Sequence, residues 1–200
     1  MENNQYNLKK FCNFLTLILT ILFFISTKQP TSAAETPQNY TNFLISKCSN
    51  TTYPTLCIKT LQPFTSYVQT DPLRLCNAAL NVAIQGAHDA SSTVSKLALQ
   101  KGISHIEAAA LKDCIYDVND VIYELSRTLN EMGHLGDADR EFKWANAKTW
   151  ASAAISDAES CMDGFTGRNV SPDVTNKIRS CLFAQEKLIS IALALINHLY

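Results

Sequence analysis

Residues 104–132, SHIEAAALKDCIYDVNDVIYELSRTLNEM, decide the fold of this 200-residue chain. Ser104 is followed three positions later by Glu107, which is the capping-box pattern at the start of a helix. Beyond it, apolar side chains recur at steps of three and four, the spacing that places them on one face of an α-helix. This apolar stripe consists of Leu111, Cys114, Val118, Val121, Leu125 and Leu129. The stretch therefore predicts one long amphipathic helix that ends at Gly133.

Three further segments have the same helical spacing, and we expect helices over residues 71–100, 139–162 and 171–200. Asp71 and Ser171 each precede a proline, and a capping residue followed by proline is typical of a helix start. Glycines fall between the segments, and no segment has the alternation of a β-strand. Four long amphipathic helices joined by short turns predict an all-α fold, an up-down-up-down four-helix bundle over residues 71–200.

A smaller element precedes the bundle. Two short helices, over residues 40–49 and 53–61, flank a turn that Cys48 and Cys57 bracket. Neither helix is long enough to be stable alone in water. A disulfide that closes so short a loop would stabilise the pair by about 2–3 kcal/mol. We therefore expect residues 35–70 to form an N-terminal helical hairpin, and residues 35–200 to make up one domain.

The N-terminus has the pattern of a secretory signal peptide. Lys9 and Lys10 precede an apolar run over residues 11–25, and small residues lead up to Ala34. We expect residues 1–34 to be removed by cleavage after Ala34. An uncleaved anchor is the alternative, but the run is short of the roughly 20 apolar residues that span a membrane. The protein is thus expected to be secreted, with no membrane contact after cleavage, and its acceptor sequons should lie in loops and be glycosylated. These sequons begin at Asn39, Asn50 and Asn169.

Charge and motifs exclude several classes of function. Without the leader the chain has 14 basic and 17 acidic side chains, a mild negative balance that argues against nucleic acid as a partner. Its four histidines are scattered over different elements, and none pairs with another at metal-ligand spacing. The sequence has no nucleophile elbow and no phosphate-binding glycine loop. We therefore expect a protein that is not an enzyme and that uses no metal or cofactor.

The cysteines in the bundle can be partly paired by counting along antiparallel helices. Cys76 and Cys181 are separated by about 20 Å along the bundle axis at ~1.5 Å per residue, too far for a disulfide. Cys114 is level with Cys181 and about 5 to 6 residues from level with Cys161, and helix ends read from a sequence vary by a few residues. Geometry alone therefore leaves the pairs Cys114–Cys161 and Cys114–Cys181 open.

An acidic stripe runs beside the apolar stripe of the 104–132 helix. It consists of Asp113, Asp117, Asp120 and Glu124, at steps of four, three and four. One interpretation is a solvated helix face. The other is a docking face for a partner of complementary charge, whose binding would depend on pH and salt.

Several motifs resemble those of the plant inhibitors of pectin methylesterase and invertase, over essentially the whole chain after the leader. They are the Cys48-to-Cys57 block, LKDC at 111–114, TWASAA at 149–154, SCMDGF at 160–165 and IALALIN at 191–197.

The resemblance implies a four-helix bundle with an N-terminal helical hairpin and the disulfides Cys48–Cys57 and Cys114–Cys161. Cys76 and Cys181 are then free thiols. Cys76 lies on an apolar stripe, which favours a buried thiol over an intermolecular bridge.

The resemblance also implies a partner. Invertase inhibitors have a Pro-Lys-Phe element in the third loop between helices, and residues 137–144 lack it. The similarity therefore favours an inhibitor of pectin methylesterase that acts in the cell wall. It would form a one-to-one complex over the groove that holds the pectin chain. The residues expected to contact the esterase are Asp117, Asp120, Ser160 and Asp163, whereas Tyr116 stands where the family pattern has an acidic residue.

Three alternatives are weighed against this interpretation. In the first, the chain is an inhibitor of acid invertase. In the second, it is a secreted helical module that binds another component and inhibits nothing. The same bundle also occurs as a pro-region ahead of a catalytic esterase domain. We expect this last arrangement not to apply, because the sequence stops at Tyr200, soon after its last core leucine.

Overall fold

The computed structural model describes residues 36–136 and 138–200. The expected signal peptide over residues 1–34, with its cleavage after Ala34, lies outside the described residues. Within them, every regular element is a helix. The prediction of an all-α fold is confirmed.

The N-terminal hairpin consists of helices α1 (Pro37–Cys48) and α2 (Pro54–Leu61). A 3-10 turn (Gln62–Phe64) and the short helix α3 (Thr65–Val68) follow, and the sequence did not predict either of them. A disulfide joins Cys48 to Cys57 with their Cα atoms 5.6 Å apart, and both residues are fully buried. The sulfur bridge thus lies between the two helices, at the turn.

Helix α1 begins three residues earlier than the sequence predicted, and this corrects the environment of one sequon. Pro37 occupies the first helical turn, where its missing N–H costs no hydrogen bond, and Thr36 is the extended residue before it. Asn39 is therefore an exposed residue in the first turn of α1, not a loop residue. Asn50 and Asn169 are exposed outside the helices, as expected.

Four long helices make up the rest of the chain. They are α4 (Pro72–Ala98), α5 (His105–Gly133), α6 (Arg140–Asp163) and α7 (Pro172–Asn197). Helices α4 and α6 each pack against both α5 and α7, so the four form a closed ring of antiparallel neighbours. This is the up-down-up-down bundle that the sequence predicts. The hairpin packs beside it, with α2 and α3 against α4 and α1 against α7.

Capping side chains set the helix starts. Asp71 accepts hydrogen bonds from the N–H groups of Leu73 and Arg74, and Ser171 accepts one from Val174. At the start of α5, Ser104 and Glu107 form the complete capping box. These side chains satisfy the N–H groups that have no partner within a helix, which is why the boundaries follow the sequence so closely.

Helix α7 is apolar enough to resemble a membrane span, with a mean hydropathy of 1.3 over its best window. Its large apolar side chains are nevertheless part of the bundle core. Those at most 3% exposed are Val174, Ile178, Leu182, Ile189, Ile191 and Ile196. Packing within the bundle therefore accounts for the composition of this helix.

Candidate functional site

The disulfide Cys114–Cys161 joins α5 to α6 and sets their register. The two Cα atoms are 4.4 Å apart, and both residues are buried. Because the helices are antiparallel, positions that follow Cys114 on α5 lie beside positions that precede Cys161 on α6. The bridge therefore brings the acidic stripe of α5 level with the middle of α6.

The acidic stripe extends across both helices. Asp113 and Asp120 are exposed, whereas Asp117 and Glu124 are half-buried toward α6. There Asp157, a residue that the sequence analysis missed, adds its charge to theirs. It lies four residues before Cys161, so only the pairing of the two helices reveals that it belongs with the stripe.

One end of the stripe is neutralised by an arginine. Arg168, in the loop after α6, donates a hydrogen bond from Nη1 to Asp113 Oδ2 at 3.0 Å. Both partners are exposed, so the pair contributes little to stability. Its effect is to leave the negative charge concentrated further along α5.

Partial burial, together with the proximity of other carboxyl groups, raises two pKa values. Partial burial raises the pKa of Asp117, with the charges of Asp157, Asp113 and Asp120 adding to the effect. For Glu124, partial burial together with a hydrogen bond to the Asp157 carboxyl and the charges of Asp157 and Asp120 raises the pKa to about 8.

A shared proton explains the contact between Glu124 and Asp157. Glu124 Oε2 is buried, and it accepts no hydrogen bond from an N–H or hydroxyl group in the described part of the chain. Two ionised carboxylates only accept hydrogen bonds, so the contact with Asp157 requires that one of them keeps its proton. At neutral pH these five carboxyl groups therefore carry less negative charge than they would if all were ionised.

Aromatic side chains flank the carboxyl groups. The rings of Tyr123 and Trp150 meet edge to face, with their centroids 6.4 Å apart. The guanidinium of Arg127 lies 5.0 Å from the Trp150 centroid and 6.0 Å from that of Tyr123. Tyr116 and Tyr123 are 60% and 56% exposed, a large fraction for rings of this size. Tyr123 and Arg127 were not predicted as contacts from the sequence, although both follow Tyr116 and Asp120 at steps of three and four on one side of α5.

We call this combined surface of α5 and α6 the docking face. It consists of Asp117, Asp120, Glu124 and Asp157 together with Tyr116, Tyr123, Arg127 and Trp150.

Ser160 and Asp163, the other two expected contacts, lie in the last turn of α6. Both side chains are exposed. Their carbonyl oxygens accept hydrogen bonds from Gly164 and Thr166 where the helix ends. They are thus next to Cys161, beyond Asp157 and towards the loop that contains Arg168.

The loop between α5 and α6 is the region in which an invertase-type element would be expected. Phe142, just past this loop in the first turn of α6, is 63% exposed. Lys143 lies 3.8 Å from the nearly buried Glu131 and 3.9 Å from Asp139. The pair with Glu131 connects the start of α6 to the end of α5.

The other two cysteines of the described residues are not disulfide-bonded. Cys76 is buried in the core, and burial raises the pKa of its thiol to about 12, so it is unreactive. Cys181 is half-buried, and burial raises its pKa as well, although a hydrogen bond to Thr93 opposes the effect. Among the described residues, no three potential ligands come together as a metal site would require.

Comparison with known proteins agrees with this architecture. Residues 42–195 match the family described as plant invertase/pectin methylesterase inhibitor. Pectinesterase inhibitor 11 of Arabidopsis thaliana is 36% identical over 188 residues, which cover 92% of this chain and 93% of that protein. Pectinesterase inhibitor 4 of the same plant is 34% identical, with 92% and 96% covered.

A solved structure shares the fold. The crystal structure of a mutant form of a pectin methylesterase inhibitor from Arabidopsis superposes with a TM-score of 0.58 at 20% identity, covering 78% of this chain and 97% of that one. The chain belongs to the plant invertase/pectin methylesterase inhibitor family.

Proposed function

We propose that this protein inhibits pectin methylesterase by a one-to-one, non-covalent complex in the cell wall. The observation on which the proposal depends is that relatives aligned along nearly the whole chain are named pectinesterase inhibitors. The docking face on α5 and α6 adds a surface of suitable kind, because tyrosine, tryptophan and arginine are enriched at protein interfaces and charged groups make a surface complementary to a particular partner.

The proposed mechanism is steric. The docking face covers the groove in which the esterase holds its pectin chain, so the polymer cannot reach the catalytic residues of the enzyme. Asp117 and Asp120 would meet cationic groups on the esterase, while Ser160 and Asp163 would contact it near the end of α6. The disulfide between α5 and α6 keeps this surface rigid, which reduces the entropy lost on binding.

Secretion to the cell wall is part of the proposal. It is supported by the signal-like sequence of residues 1–34 and by two disulfides, which persist in oxidising compartments. The exposed sequon residues Asn39, Asn50 and Asn169 are accessible to glycosylation.

Inhibition of acid invertase is the second candidate, because the family description includes both kinds of target. A secreted module without inhibitory activity is the third. An inhibition assay separates the three. Purified protein is titrated into a pectin methylesterase assay and an acid invertase assay at acidic, apoplastic pH.

We expect loss of the esterase activity alone, reaching completion near one equivalent. Loss of invertase activity alone would identify the second candidate. If neither enzyme is inhibited, the proposal is wrong and the non-inhibitory module is the better description.

A further inference from the structure

We propose that Arg127 is the anchor of the docking face and that it binds a carboxylate on the surface of the target esterase. This inference rests on the proposed function and adds to it a named residue and a defined charge on the partner. It means that the face is not uniformly acidic. It consists of a negative half at Asp117, Asp120 and Asp157 and a cationic, aromatic half at Arg127, Tyr123 and Trp150.

The guanidinium of Arg127 is held in place by two rings. It lies 5.0 Å from the centroid of Trp150 on α6 and 6.0 Å from that of Tyr123 on its own helix. The two rings contact each other edge to face. A side chain packed against rings on two helices has lost most of its rotational freedom before any partner arrives, so binding costs less entropy.

The neighbouring carboxylates are engaged elsewhere, which leaves the charge of Arg127 uncompensated. Glu131, one turn further along α5, pairs with Lys143 at 3.8 Å. Glu124, one turn earlier, is in contact with Asp157. Arg127 forms no ion pair with any residue in the ranges 36–136 and 138–200. Arg127 is exposed, so the N–H donors of its guanidinium are available at the surface.

The chemistry of arginine identifies the ligand group. A planar guanidinium offers paired N–H donors that match the two oxygens of a carboxylate. Tryptophan, tyrosine and arginine are also the residues most enriched among those that dominate interface energetics. An exposed arginine stacked on both rings is therefore suited to one strong, directional contact with an Asp or Glu of the partner.

The position of Arg127 gives the complex a polarity. Arg127 lies seven residues beyond Asp120 on the same side of α5, which corresponds to about 10 Å along the helix. The esterase surface should therefore present cationic groups opposite Asp117 and Asp120, and an acidic group about 10 Å away. An arrangement of both signs fixes orientation better than a single negative patch does, because a reversed complex would bring like charges together.

The test compares variants of the full secreted chain by their inhibition constants against pectin methylesterase. Arg127→Gln removes the charge and keeps a helix-forming side chain, and Arg127→Glu reverses it. Arg140→Gln is the matched control, because Arg140 also stacks on a ring, that of Tyr200 at 4.8 Å, but lies outside the docking face. We expect the inhibition constant to rise about tenfold or more for Arg127→Gln, further for Arg127→Glu, and less than about twofold for Arg140→Gln.

Arg127→Lys separates binding from folding. Lysine keeps the charge but lacks the planar fork, so we expect an inhibition constant between those of the wild type and Arg127→Gln, with an unchanged melting temperature. If the wild type inhibits and Arg127→Gln inhibits equally well, the anchor is wrong while the proposed function stands. A similar loss of inhibition in Arg140→Gln would also overturn the role of Arg127 as the anchor. A wild-type protein that inhibits no esterase would overturn both this role and the proposed function.

Discussion

Glu124 and Asp157 face each other between α5 and α6, and their contact makes the stability of the protein depend on pH. The pKa of Glu124 is raised from 4.5 to about 8 by partial burial and by Asp157. Between these values the folded protein retains a proton that the unfolded chain has released. Stability should therefore fall as pH rises from about 4.5 to about 8, because raising the pH favours the unfolded chain, which binds fewer protons.

Glu124→Gln is expected to flatten this dependence. Glutamine is neutral at every pH and can donate a hydrogen bond to Asp157, so the cost of ionising the pair disappears. Urea unfolding at pH 5 and at pH 8.5 would measure the effect. The variant should match the wild type at the lower pH and be the more stable of the two at the higher. Glu141→Gln, at an exposed glutamate on α6, should leave the pH dependence unchanged.

Asp120 is the exposed carboxylate of the docking face, so it is the simplest position at which to test its charge. Asp120→Lys should raise the inhibition constant against pectin methylesterase by about tenfold or more, because it places a cation opposite a cationic partner. Far-ultraviolet circular dichroism and the melting temperature should change little, since the side chain is exposed. Asp89→Lys on α4 is the control. If Asp120→Lys inhibits as strongly as Asp89→Lys, the acidic stripe is only a solvated helix face.

At the scale of the helices, one carboxylate connects two helix starts. Glu107 Oε2 accepts a hydrogen bond from the Ser104 N–H at 2.9 Å, and Oε1 accepts one from the Ser171 N–H at 3.0 Å. Ser171 is the N-cap of α7, so Glu107 ties α5 to α7. Hydrogen bonds from Ser171, and then from Ser104, lower the pKa of Glu107 to about 2.

Glu107→Gln should destabilise the protein at neutral pH and abolish part of its sensitivity to acid. The folded protein keeps Glu107 ionised below the pH at which the unfolded chain takes up a proton. Its contribution is therefore complete above about pH 4.5 and is lost as pH falls to about 2. Melting temperatures measured from pH 7 to pH 2 should show the two proteins converging in acid. A constant difference over the whole range would contradict the assignment.

Gly86 permits the close approach of α4 and α7. A Cβ atom at this position would overlap Gln185 Oε1 and would lie 2.8 Å from Leu188 Cδ1. Gln185 is buried and donates a hydrogen bond to the Ala83 carbonyl at 2.9 Å, so it has little room to move. Gly86→Ala should therefore destabilise the protein by about 1–3 kcal/mol despite the better helix propensity of alanine.

Gly133→Ala is the matched control for that substitution. Gly133 is also helical, but apart from its chain neighbours and the backbone of its own helix, no heavy atom of the described residues lies within 4 Å of the position of its missing Cβ. Thermal unfolding should therefore show Gly133→Ala at least as stable as the wild type. A Gly86→Ala variant of equal stability would mean that α7 shifts freely, contrary to the packing described above.

The sequence predicted those features of the helices that are local. Asp71, Ser104 and Ser171 cap the starts of α4, α5 and α7, and each boundary follows from side-chain hydrogen bonds within a few residues. The start of α1 at Pro37 was placed late because no apolar stripe marks its first turn. Residues 62–68 were missed because turns of three or four residues have no periodicity to detect.

Features that depend on contact between helices were harder to predict. Counting residues along the helices left Cys114 level with Cys181 and about 5 to 6 residues from level with Cys161, too small a difference to choose between them, and only resemblance to a family did so. The same limit hid Asp157 and the contact of Trp150 with Arg127, because each joins α5 to α6. The acidic stripe was visible since all its members lie on one helix. Asp157, which shares a proton with Glu124 of the stripe, was not visible because it lies on the other helix.

At the scale of the whole molecule, each of the two disulfides in the described residues constrains a different part of the chain: one the hairpin, the other the bundle. Cys48–Cys57 closes a separation of 9 residues within the hairpin, whereas Cys114–Cys161 closes one of 47 residues and joins two helices of the bundle. The entropy of the unfolded chain predicts a stabilisation of about 2.5 kcal/mol for the first and about 4 kcal/mol for the second. The second bridge also sets the register of the docking face.

Paired alanine variants should reveal this division. Cys114→Ala with Cys161→Ala should lower the melting temperature more than Cys48→Ala with Cys57→Ala, at roughly 2–4 °C per kcal/mol for a domain of this size. It should also weaken inhibition of pectin methylesterase, because α5 and α6 are no longer held in register. The hairpin variant should inhibit as the wild type does, since its bridge is remote from the docking face. Non-reducing peptide mapping of the wild type should find only these two links, and a Cys114–Cys181 link, or equal loss of inhibition in both variants, would contradict the arrangement.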